Sequence, residues 1–406
     1  MSDDFSQVDA AIQALAAGKI VVVLDDEDRE NEGDFICAAE KCTPEMVNFM
    51  VATGRGMLCV PMLPERAQQL QLEPLPSTGP TAAFRTAFTV AVDHESVRTG
   101  ITAEERCRTI HALADPKCTG DNFVKPGHVH PIIAKEGGVL RRAGHTEASV
   151  DLIRLAGFDE PIGVLIEILN DTGDRATREE LSALADQYDL VMITIEQLIR
   201  YRRRSERLVH RTGEADLPTK RGLFRLIGYG VAYEEQEPVA LIYGDLSKSD
   251  APLVRLHSSC FTGDLISSLR CDCGDQLNLA LDMISQEGCG ALIYLPQEGR
   301  GIGLSEKIKA YALQDEGMDT VQANLALGYK ADPRDYGVGI QILKDLGLTR
   351  VRLMTNNPKK TDAFIYGGFE LEVVDQVPIT PPMNEHNADY LKTKRDKMGH
   401  QLPSDE

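Results

Sequence analysis

Three cysteines with the spacing C-x10-C-x-C constrain this chain more than any other feature of its sequence. Cys260, Cys271 and Cys273 lie in one short stretch, beside an arginine, a histidine and several hydroxyl side chains. Thiolates in such surroundings are ligands for a soft divalent metal, and zinc fits best. A structural zinc site normally has four protein ligands, whereas a catalytic site keeps one position for water or substrate. Three cysteines therefore favour a catalytic metal site.

The length of the chain predicts two domains, because 406 residues exceed the size at which a single hydrophobic core stops growing. The periodic apolar pattern is lost at about 205–220, a polar segment that contains one glycine and one proline. We expect a linker there, and hence domains at 1–205 and 206–406.

Both halves show the pattern of an α/β (α+β) domain, in which a mixed sheet is layered with helices. Thr102 with Glu105 and Thr177 with Glu180 have the spacing of helix capping boxes. In the second half, three predicted strands precede the cysteines, and helices alternate with strands after them. The strands predicted for the first half are 20–24, 56–62, 86–92 and 162–169.

Charge and composition exclude several classes of protein. A net charge of -20, acidic in both halves, argues against nucleic-acid binding. The basic run at 200–211 has two interpretations, a nucleic-acid patch or a solvated helix end, and we favour the helix end. No apolar run approaches the roughly 18 residues that span a bilayer, and the N-terminus lacks the apolar segment of a secretory signal. Nine scattered cysteines favour a reducing compartment, so we expect a cytoplasmic protein without membrane partners.

An acidic segment follows the first predicted buried strand. Residues 21–35 contain seven carboxylates around a single arginine, Arg29. So many like charges repel each other unless a cation lies among them. A solvated loop is the simpler interpretation, but Asn31 interrupts the acids and Gly33 permits a tight turn. We therefore predict a loop that wraps Mg²⁺ and the hydroxyl pair of a phosphosugar.

Two further segments of the first half carry polar groups of the same kind. His128 and His130 lie in 125–131, and the run RRAGHTEA precedes a periodic helix. A helix N-terminus beside an arginine is a phosphate site. Glu167 lies in an otherwise apolar strand, where a carboxylate must be paired or titrate unusually.

Three segments of the second half resemble phosphate-binding turns. Residues 294–308 place Glu298 and Arg300 among glycines, between a predicted strand and a predicted helix. Residues 331–337 add an acid and an arginine, and residues 354–360 add amides and two lysines. Each segment alone could be only a turn. Together with the thiolates they predict a site for a triphosphate and a base.

These motifs match a family pattern over nearly the whole chain. The first half resembles 3,4-dihydroxy-2-butanone 4-phosphate synthase through DDEDRENEGD, PGHVHP and RRAGHTEA. The second half resembles GTP cyclohydrolase II through LHSSCFTGD, LRCDCG, PQEGRGIGL, DPRDYG and TNNPKK. Their combination resembles the bifunctional enzyme of riboflavin biosynthesis.

For the first half, the resemblance implies conversion of D-ribulose 5-phosphate to 3,4-dihydroxy-2-butanone 4-phosphate and formate, with Mg²⁺ (or Mn²⁺) as cofactor. Glu30 and His145 would hold the metal, and His128 and Glu167 would be the essential acid/base groups. This division fits the chemistry, since enolising a ketose needs a base near the carbon and a cation for the developing charge. The implied sugar-phosphate residues are Arg29, Glu30, Asp34, Arg142, Ala143, Gly144, His145, Thr146 and Glu167.

For the second half, the resemblance implies hydrolytic opening of the GTP imidazole ring. The products would be 2,5-diamino-6-(5-phosphoribosylamino)pyrimidin-4(3H)-one, formate and pyrophosphate. The three cysteines would bind Zn²⁺, which acidifies water for attack on C8. Asp332 would accept a proton, and Arg334 matches the position of a nucleophile, although arginine stays protonated and is poorly suited to that role. The implied GTP-binding residues are Arg255, Leu256, His257, Ser258, Ser259, Gln276, Glu298, Gly299, Arg300, Tyr311, Thr320, Thr355 and Lys360.

The chain departs from the family pattern at two positions that matter. Ser259 stands where a glutamate could hold the guanine amino group and ring N–H, and His130 replaces a usual phenylalanine. One alternative is therefore that only the synthase half is fully active. A second alternative is a zinc-stabilised binding module, with His257 completing a closed four-ligand site. The resemblance also leads us to expect a homodimer, which acts on small molecules and not on nucleic acid.

Overall fold

The computed structural model describes residues 3–26, 29–76, 86–329, 336–357, 360, 371–380, 384, 387, 391–393 and 395. Contacts between residues divide the chain into two compact units, Met1–Arg202 and Arg203–Glu406. No helix among the described residues is both long and apolar enough to cross a bilayer.

The first unit consists of a sheet covered by helices. Its strands are β1 (Val21–Leu24), β2 (Gly33–Ala38), β3 (Cys59–Met62), β4 (Ala87–Phe88), β5 (Val92–His94), β6 (Phe123–Ile133), β7 (Gly163–Glu167) and β8 (Val191–Thr194). Its helices are α1 (Asp3–Ala16), α2 (Pro44–Phe49), α3 (Pro64–Gln69), α4 (Ala103–Ala114), α5 (His145–Leu155), α6 (Arg178–Tyr188) and α7 (Ile195–Ser205).

The sheet of the first unit is mixed. Its order is β4-β6-β3-β7-β2-β1-β8, and β5 pairs with β6. The pairs β1–β8 and β3–β6 are parallel, and the other pairs are antiparallel. Val22 and Phe35 pack into one hydrophobic core, and Val21 and Ile36 pack into another. Because successive side chains of a strand point to opposite faces, both faces of the sheet are buried, which explains the nearly continuous apolar strand sequences.

The second unit has a seven-stranded sheet with the order β15-β14-β12-β13-β11-β10-β9. The pairs among β12, β13, β14 and β15 are parallel, and the remaining pairs are antiparallel. The strands are β9 (Val209–Thr219), β10 (Gly222–Val231), β11 (Val239–Tyr243), β12 (Leu253–Ser258), β13 (Gly290–Leu295), β14 (Arg350–Met354) and β15 (Glu372–Val377). The helices are α8 (Cys273–Glu287), α9 (Leu304–Asp315), α10 (Thr320–Ala326) and α11 (Gly337–Asp345).

The parallel strands determine where a site can form in the second unit. The first cysteine follows β12, the glycine-rich turn follows β13, and the segment beginning at Thr355 follows β14. The carboxyl ends of neighbouring parallel strands lie at one edge of a sheet, where ligands of α/β proteins bind.

The mixed, helix-layered architecture predicted for both halves is confirmed.

Several local predictions were wrong. The expected linker at 205–220 contains strand β9, which pairs with β10 along its whole length. All of its residues after Val209 are exposed, so the strand has no apolar alternation to reveal it. The strand predicted at 86–92 is two short strands, because β4 pairs with the C-terminal end of β6 while β5 pairs with earlier residues of β6. The basic run is not uniformly solvated, since Arg202 is fully buried against Asp151 and the Gly137 carbonyl.

Candidate active sites

The acidic loop, residues 25–34, extends from the end of β1 into the first residues of β2, and Asp25 organises its described part. One carboxylate oxygen of Asp25 accepts the backbone N–H of Glu32 at 2.8 Å. The other accepts the backbone N–H of Glu30 at 3.1 Å and the guanidinium of Arg29 at 2.8 Å. The same guanidinium pairs with the Glu30 carboxylate. The sequence prediction gave Asp25 no role of its own, because nothing in a run of acids distinguishes the one that holds the loop together.

A possible cation site lies in this loop. Asp25, Glu30 and His145 each offer one ligand atom, and these atoms lie within 4.8 Å of one another. His145 Nε2 donates to the Val23 carbonyl at 3.1 Å, so Nδ1 is the nitrogen that can accept or ligate. Burial lowers the pKa of His145 to about 4, which keeps the imidazole neutral as metal binding requires.

Two further carboxylates, those of Glu32 and Asp34, add to the acidic groups of the loop. Burial, followed by the charges of Glu30 and Glu167, raises the pKa of Glu32 to about 7. Burial also raises the pKa of Asp34 well above its usual range, with Glu167 as the next cause. The buried Asp34 Oδ1 has no hydrogen-bond partner among the described residues. Carboxylate oxygens and one imidazole suit a hard divalent cation, so these residues fit Mg²⁺ or Mn²⁺.

Glu167 lies beside this group at the end of β7. It is directly opposite Asp34 in the antiparallel register of β7 and β2. Its Oε2 accepts the backbone N–H of Met57 at 2.7 Å. A Cβ at position 56 would lie 2.5 Å from that oxygen, so Gly56 permits the close approach of the turn. The backbone therefore fixes one oxygen of Glu167 and leaves Oε1 for chemistry.

The segment 142–146 leads into α5, with Gly144 as its N-cap residue. The Arg142 guanidinium donates to Glu147 Oε2 at 2.6 Å and to Thr86 Oγ1 at 3.0 Å, which holds it beside the first turn of the helix. A side chain at position 144 would collide with this guanidinium. Ala143 is exposed, whereas Thr146 is buried. Together the arginine and the free N–H groups of the helix start form an anion-binding arrangement.

His128 lies on β6. Its Nδ1 is 2.7 Å from Asp93 Oδ2, and its backbone N–H donates to Asp93 Oδ1 at 3.0 Å. Because a carboxylate can only accept, Nδ1 carries the proton and Nε2 is free to act as a base. No hydrogen bond or ion pair recorded for His128 in the described part of the chain reaches the acidic loop. His130 lies opposite Cys59 in the parallel pair of β6 and β3.

The three cysteines of the second unit converge. Their sulfur atoms lie within 4.8 Å of one another, and Cys260 Sγ and Cys271 Sγ are 3.7 Å apart. Gly263 lines the group, because a Cβ there would lie 3.0 Å from Cys271 Sγ and 3.2 Å from Cys260 Sγ. Hydrogen bonds from Cys271 and Cys273, and then from Lys307, lower the pKa of the Cys260 thiol. Three convergent sulfurs in a cradle that only glycine leaves open fit Zn²⁺.

His257 does not join this group. Its Nε2 lies 3.1 Å from both carboxylate oxygens of Asp264, which also accepts the Tyr294 hydroxyl at 2.9 Å. Burial lowers the pKa of His257. The ring stacks on Tyr294, with the centroids 5.5 Å apart. The closed four-ligand site of the binding-module alternative is therefore not supported, because His257 is not among the residues whose ligand atoms converge with the cysteine sulfurs.

A cleft opens beside the cysteines at the carboxyl ends of β12, β13 and β14. It brings together eleven of the residues predicted to bind GTP: Arg255, His257, Ser258, Ser259, Gln276, Gly299, Arg300, Tyr311, Thr320, Thr355 and Lys360. Leu256 and Glu298 do not line it. Leu256 is a core residue whose carbonyl accepts Lys360 Nζ at 2.6 Å. Asp332 and Arg334 lie outside the described residues.

Buried cations and a strained turn shape this cleft. Arg255 donates to the Met354 carbonyl at 2.8 Å and to Gln276, and Lys360 lies over the ring of Tyr336. Gly299 and Arg300 both have positive φ, 61° and 64°, in the turn that precedes α9. Left-handed backbone is unusual for a non-glycine residue and is typical of functional turns. The arrangement presents positive charge to an anionic ligand beside a metal-binding group.

Lys307 and Asn324 are two of the cleft residues that the sequence prediction missed. Lys307 donates to Cys260 Sγ at 3.1 Å, and Asn324 is 2% exposed with no partner for Nδ2 among the described residues. Each lies four residues from a predicted binding residue on the same helix, Lys307 before Tyr311 and Asn324 after Thr320. This i, i+4 spacing was the available signal, since such residues share a helix face.

Comparisons with known proteins also divide the chain into two parts. Residues 9–201 match the family model of 3,4-dihydroxy-2-butanone 4-phosphate synthase, and residues 210–378 match that of GTP cyclohydrolase II. The riboflavin biosynthesis protein RibBA of Bacillus mycoides is 54% identical over 398 residues, which cover 98% of this chain and 99% of the relative. RibBA of Bacillus cereus is also 54% identical over the same length. The crystal structure of RibBX, a two-domain 3,4-dihydroxy-2-butanone 4-phosphate synthase from A. baumannii, is 30% identical with a TM-score of 0.70, covering 92% of this chain and 99% of that one.

Proposed function

The chain belongs to the RibBA family of riboflavin biosynthesis enzymes, which combine a 3,4-dihydroxy-2-butanone 4-phosphate synthase with a GTP cyclohydrolase II, and we propose that each of the two sites described above performs one of these reactions. The assignment rests on the difference between the metal-binding atoms of the two sites. Carboxylates and an imidazole converge in the first unit, whereas thiolates converge in the second. Hard and soft donors select different metals, so the two sites are chemically distinct.

In the synthase site, Glu30 and His145 would hold Mg²⁺ or Mn²⁺, with Asp25 within reach as a third ligand. The bound cation supplies positive charge where negative charge develops on the oxygens of D-ribulose 5-phosphate. Arg142 and the start of α5 would bind the phosphate group. The remaining sugar-phosphate contacts are assigned to Arg29, Asp34, Ala143, Gly144 and Thr146.

Two groups would move protons during formation of the four-carbon phosphate and formate. Glu167 would exchange its proton at Oε1, because Oε2 is occupied by the Met57 N–H. His128 would act through Nε2, because Asp93 holds the proton on Nδ1. General acid–base catalysis of this kind contributes about 10²- to 10⁴-fold in rate. Asp93 is therefore a positioning residue, which fixes both the tautomer and the orientation of His128.

In the cyclohydrolase site, Cys260, Cys271 and Cys273 would hold Zn²⁺, which supplies Lewis acidity for hydrolysis of the guanine ring. Arg255, Arg300 and Lys360 would bind the triphosphate through their positive charges. Gln276, Thr320 and Thr355 offer polar groups to the nucleoside. We keep Asp332 as the proton acceptor and assign Arg334 to the α-phosphate as a binding group, because guanidinium remains protonated.

We also propose that the protein is a cytoplasmic homodimer. All nine cysteines are free, which suits a reducing compartment. A twofold dimer is the commonest assembly of soluble enzymes, and light scattering of the purified protein measures it directly.

Formate release tests the assignment of the two reactions. Purified protein with Mg²⁺ and Zn²⁺ is expected to release formate from D-ribulose 5-phosphate and from GTP in separate assays. Cys273→Ser is expected to abolish release from GTP and to leave release from the sugar phosphate unchanged. Loss of both reactions, or of neither, would contradict the assignment of the cysteines to an independent second site.

A further inference from the structure

Lys307 occupies a position between the cysteine group and the glycine-rich turn of the nucleotide cleft. We propose that Lys307 is a positioning residue of the zinc site, whose ammonium group holds the Cys260 thiolate and the Glu298 carboxylate together. The proposal deepens the proposed function and rests on the assignment of zinc to Cys260, Cys271 and Cys273.

The hydrogen bonds of Lys307 use its full donor capacity. Its Nζ lies 3.1 Å from Cys260 Sγ, 2.9 Å from Thr262 Oγ1 and 2.7 Å from Glu298 Oε1. An ammonium group has three protons and no acceptor, so three acceptors satisfy it completely. The residue is only 8% exposed. A charged side chain that is buried and fully paired is held in one place, unlike a surface lysine.

Glu298 extends this connection to the backbone of two turns. Its Oε2 accepts the N–H of Phe261, the residue that follows the first cysteine, at 2.6 Å. Its Oε1 accepts the N–H of Gly299 at 3.1 Å. Gly299 and Arg300 form the left-handed turn, and Arg300 lines the cleft and is assigned to the triphosphate. One lysine–carboxylate pair thus joins the turn that carries a zinc ligand to the turn that carries a phosphate-binding group.

The negative charges of the neighbouring groups explain why the Lys307 ammonium group is needed between Cys260 and Glu298. Three thiolates outweigh the charge of one zinc ion by one unit, and the Glu298 carboxylate lies close enough to share the same ammonium group with Cys260. Removal of the cation would leave two anionic groups facing each other in a mostly buried place, where water screens poorly. Partners that hydrogen-bond to metal ligands orient them, and their loss typically weakens metal binding by about 10- to 100-fold.

Zinc affinity of the full-length protein, measured by competition with a chromophoric chelator, tests the proposal without depending on turnover. Lys307→Met keeps the aliphatic stem and removes the charge, and it is expected to bind zinc about 10- to 100-fold more weakly. Lys309→Met is the matched control, because Lys309 lies on the same helix and, among the described residues, forms its ion pair with Glu306 at the surface. It should bind zinc as the wild type does. Formate release from D-ribulose 5-phosphate should be unchanged in both variants.

Two more variants separate charge from packing. Lys307→Arg retains a positive charge and N–H donors, so it should lose less zinc affinity than Lys307→Met. The double variant Glu298→Gln/Lys307→Met should bind zinc more tightly than Lys307→Met alone, because the facing carboxylate is gone. In steady-state assays, Lys307→Met saturated with zinc should show a raised KM for GTP, since the Gly299 turn loses its anchor.

Different outcomes separate the role of Lys307 from the assignment of zinc to the cysteines. Equal zinc affinity in the wild type and Lys307→Met would overturn the role of Lys307 while leaving the zinc site intact. Equal losses in Lys307→Met and Lys307→Arg would assign the residue to packing alone and would also overturn it. A wild-type protein that binds no zinc would overturn the assignment of zinc to the cysteines, and the proposed role of Lys307 would fall with it.

Discussion

The two sites of this chain gather anionic ligands in different ways. In the acidic loop, Arg29 pairs with Asp25 and Glu30, but no arginine or lysine of the described chain forms an ion pair with Glu32 or Asp34. In the cysteine group, by contrast, Lys307 contacts the Cys260 sulfur directly. The first site therefore depends on an added cation for its charge balance, whereas the second contains part of that balance in its own side chains.

The sites also differ in how their parts are connected. Cysteines, buried cations and the glycine turn of the second unit line a single cleft. His128 of the first unit is instead held by Asp93, with no described hydrogen bond to the metal-binding group. His128 is therefore fixed by its own partner, through contacts other than those that hold the cation ligands. The following predictions test this contrast, beginning with the largest expected effect.

Removal of a carboxylate from the cation site should have the largest effect. Glu30→Gln takes away one of the three convergent ligands, and we expect formate release from D-ribulose 5-phosphate to fall by at least about 100-fold at moderate Mg²⁺. Release from GTP should not change. Glu40→Gln, at an exposed surface acid, is the control. An unchanged Mg²⁺ requirement in Glu30→Gln would remove the acidic loop as the metal site.

Asp93→Ala should act through the histidine that it holds. We expect kcat for the synthase reaction to fall on the order of 10²-fold with little change in KM, since the acid/base group loses its orientation but the substrate contacts remain. Imidazole nitrogen shifts measured by NMR should show that His128 no longer keeps its proton on Nδ1. Glu104 forms a surface ion pair with Arg108, and the control variant Glu104→Gln should match the wild type. A normal kcat in Asp93→Ala, beside an inactive His128→Ala, would show that Asp93 does not position the histidine.

Ser259→Glu addresses the departure of the second site from its family pattern. Ser259 lines the cleft directly before the first cysteine, where a carboxylate could accept the guanine amino group and ring N–H. Because a hydrogen bond to a charged group contributes about 1.5–3 kcal/mol, we expect KM for GTP to fall by about 10-fold or more. No gain in Ser259→Glu would remove the reason for regarding the cyclohydrolase half as weakened.

The smallest effect should come from Glu105, a carboxylate that belongs to neither metal-binding group. Hydrogen bonds from Thr99 and then from the backbone of Arg98 and Thr99 lower the pKa of Glu105 to about 2. A lowered folded-state pKa contributes stability above the unfolded value of about 4.5, and this stability is lost as the pH falls toward 2. Chemical denaturation should therefore show a smaller loss of stability in Glu105→Gln than in the wild type over that window. Parallel pH curves for the two proteins would contradict this role.

Short-range patterns predicted much of the fold and a shared metal for the three cysteines, whereas Glu30 and His145 were assigned to a metal by the family resemblance. The paired signals of Thr177 and Glu180 form a capping box, as their spacing indicated. The cysteine spacing predicted a shared metal, and the three sulfur atoms lie within 4.8 Å of one another, as such a site requires. The same reasoning failed for β9, whose exposed residues are ordered by hydrogen bonds to β10 and not by burial.

The residues that the sequence did not reveal act through long-range contacts. Lys307 lies 47 positions from Cys260, and in the sequence it is one lysine in an amphipathic helix. Asp93 lies 35 positions from His128, and nothing near it indicates a partner. Local patterns identify chemically active groups, but the side chains that orient those groups become apparent only when distant segments pack together.

Metal depletion and selective restoration test the central contrast most directly. The protein is dialysed against a chelator and supplied with Mg²⁺ alone or Zn²⁺ alone, and formate release is measured from each substrate. Mg²⁺ alone is expected to restore only the reaction of D-ribulose 5-phosphate, and Zn²⁺ alone only the reaction of GTP. Restoration of both reactions by one metal, or of the GTP reaction by Mg²⁺, would contradict two independent sites with different metals.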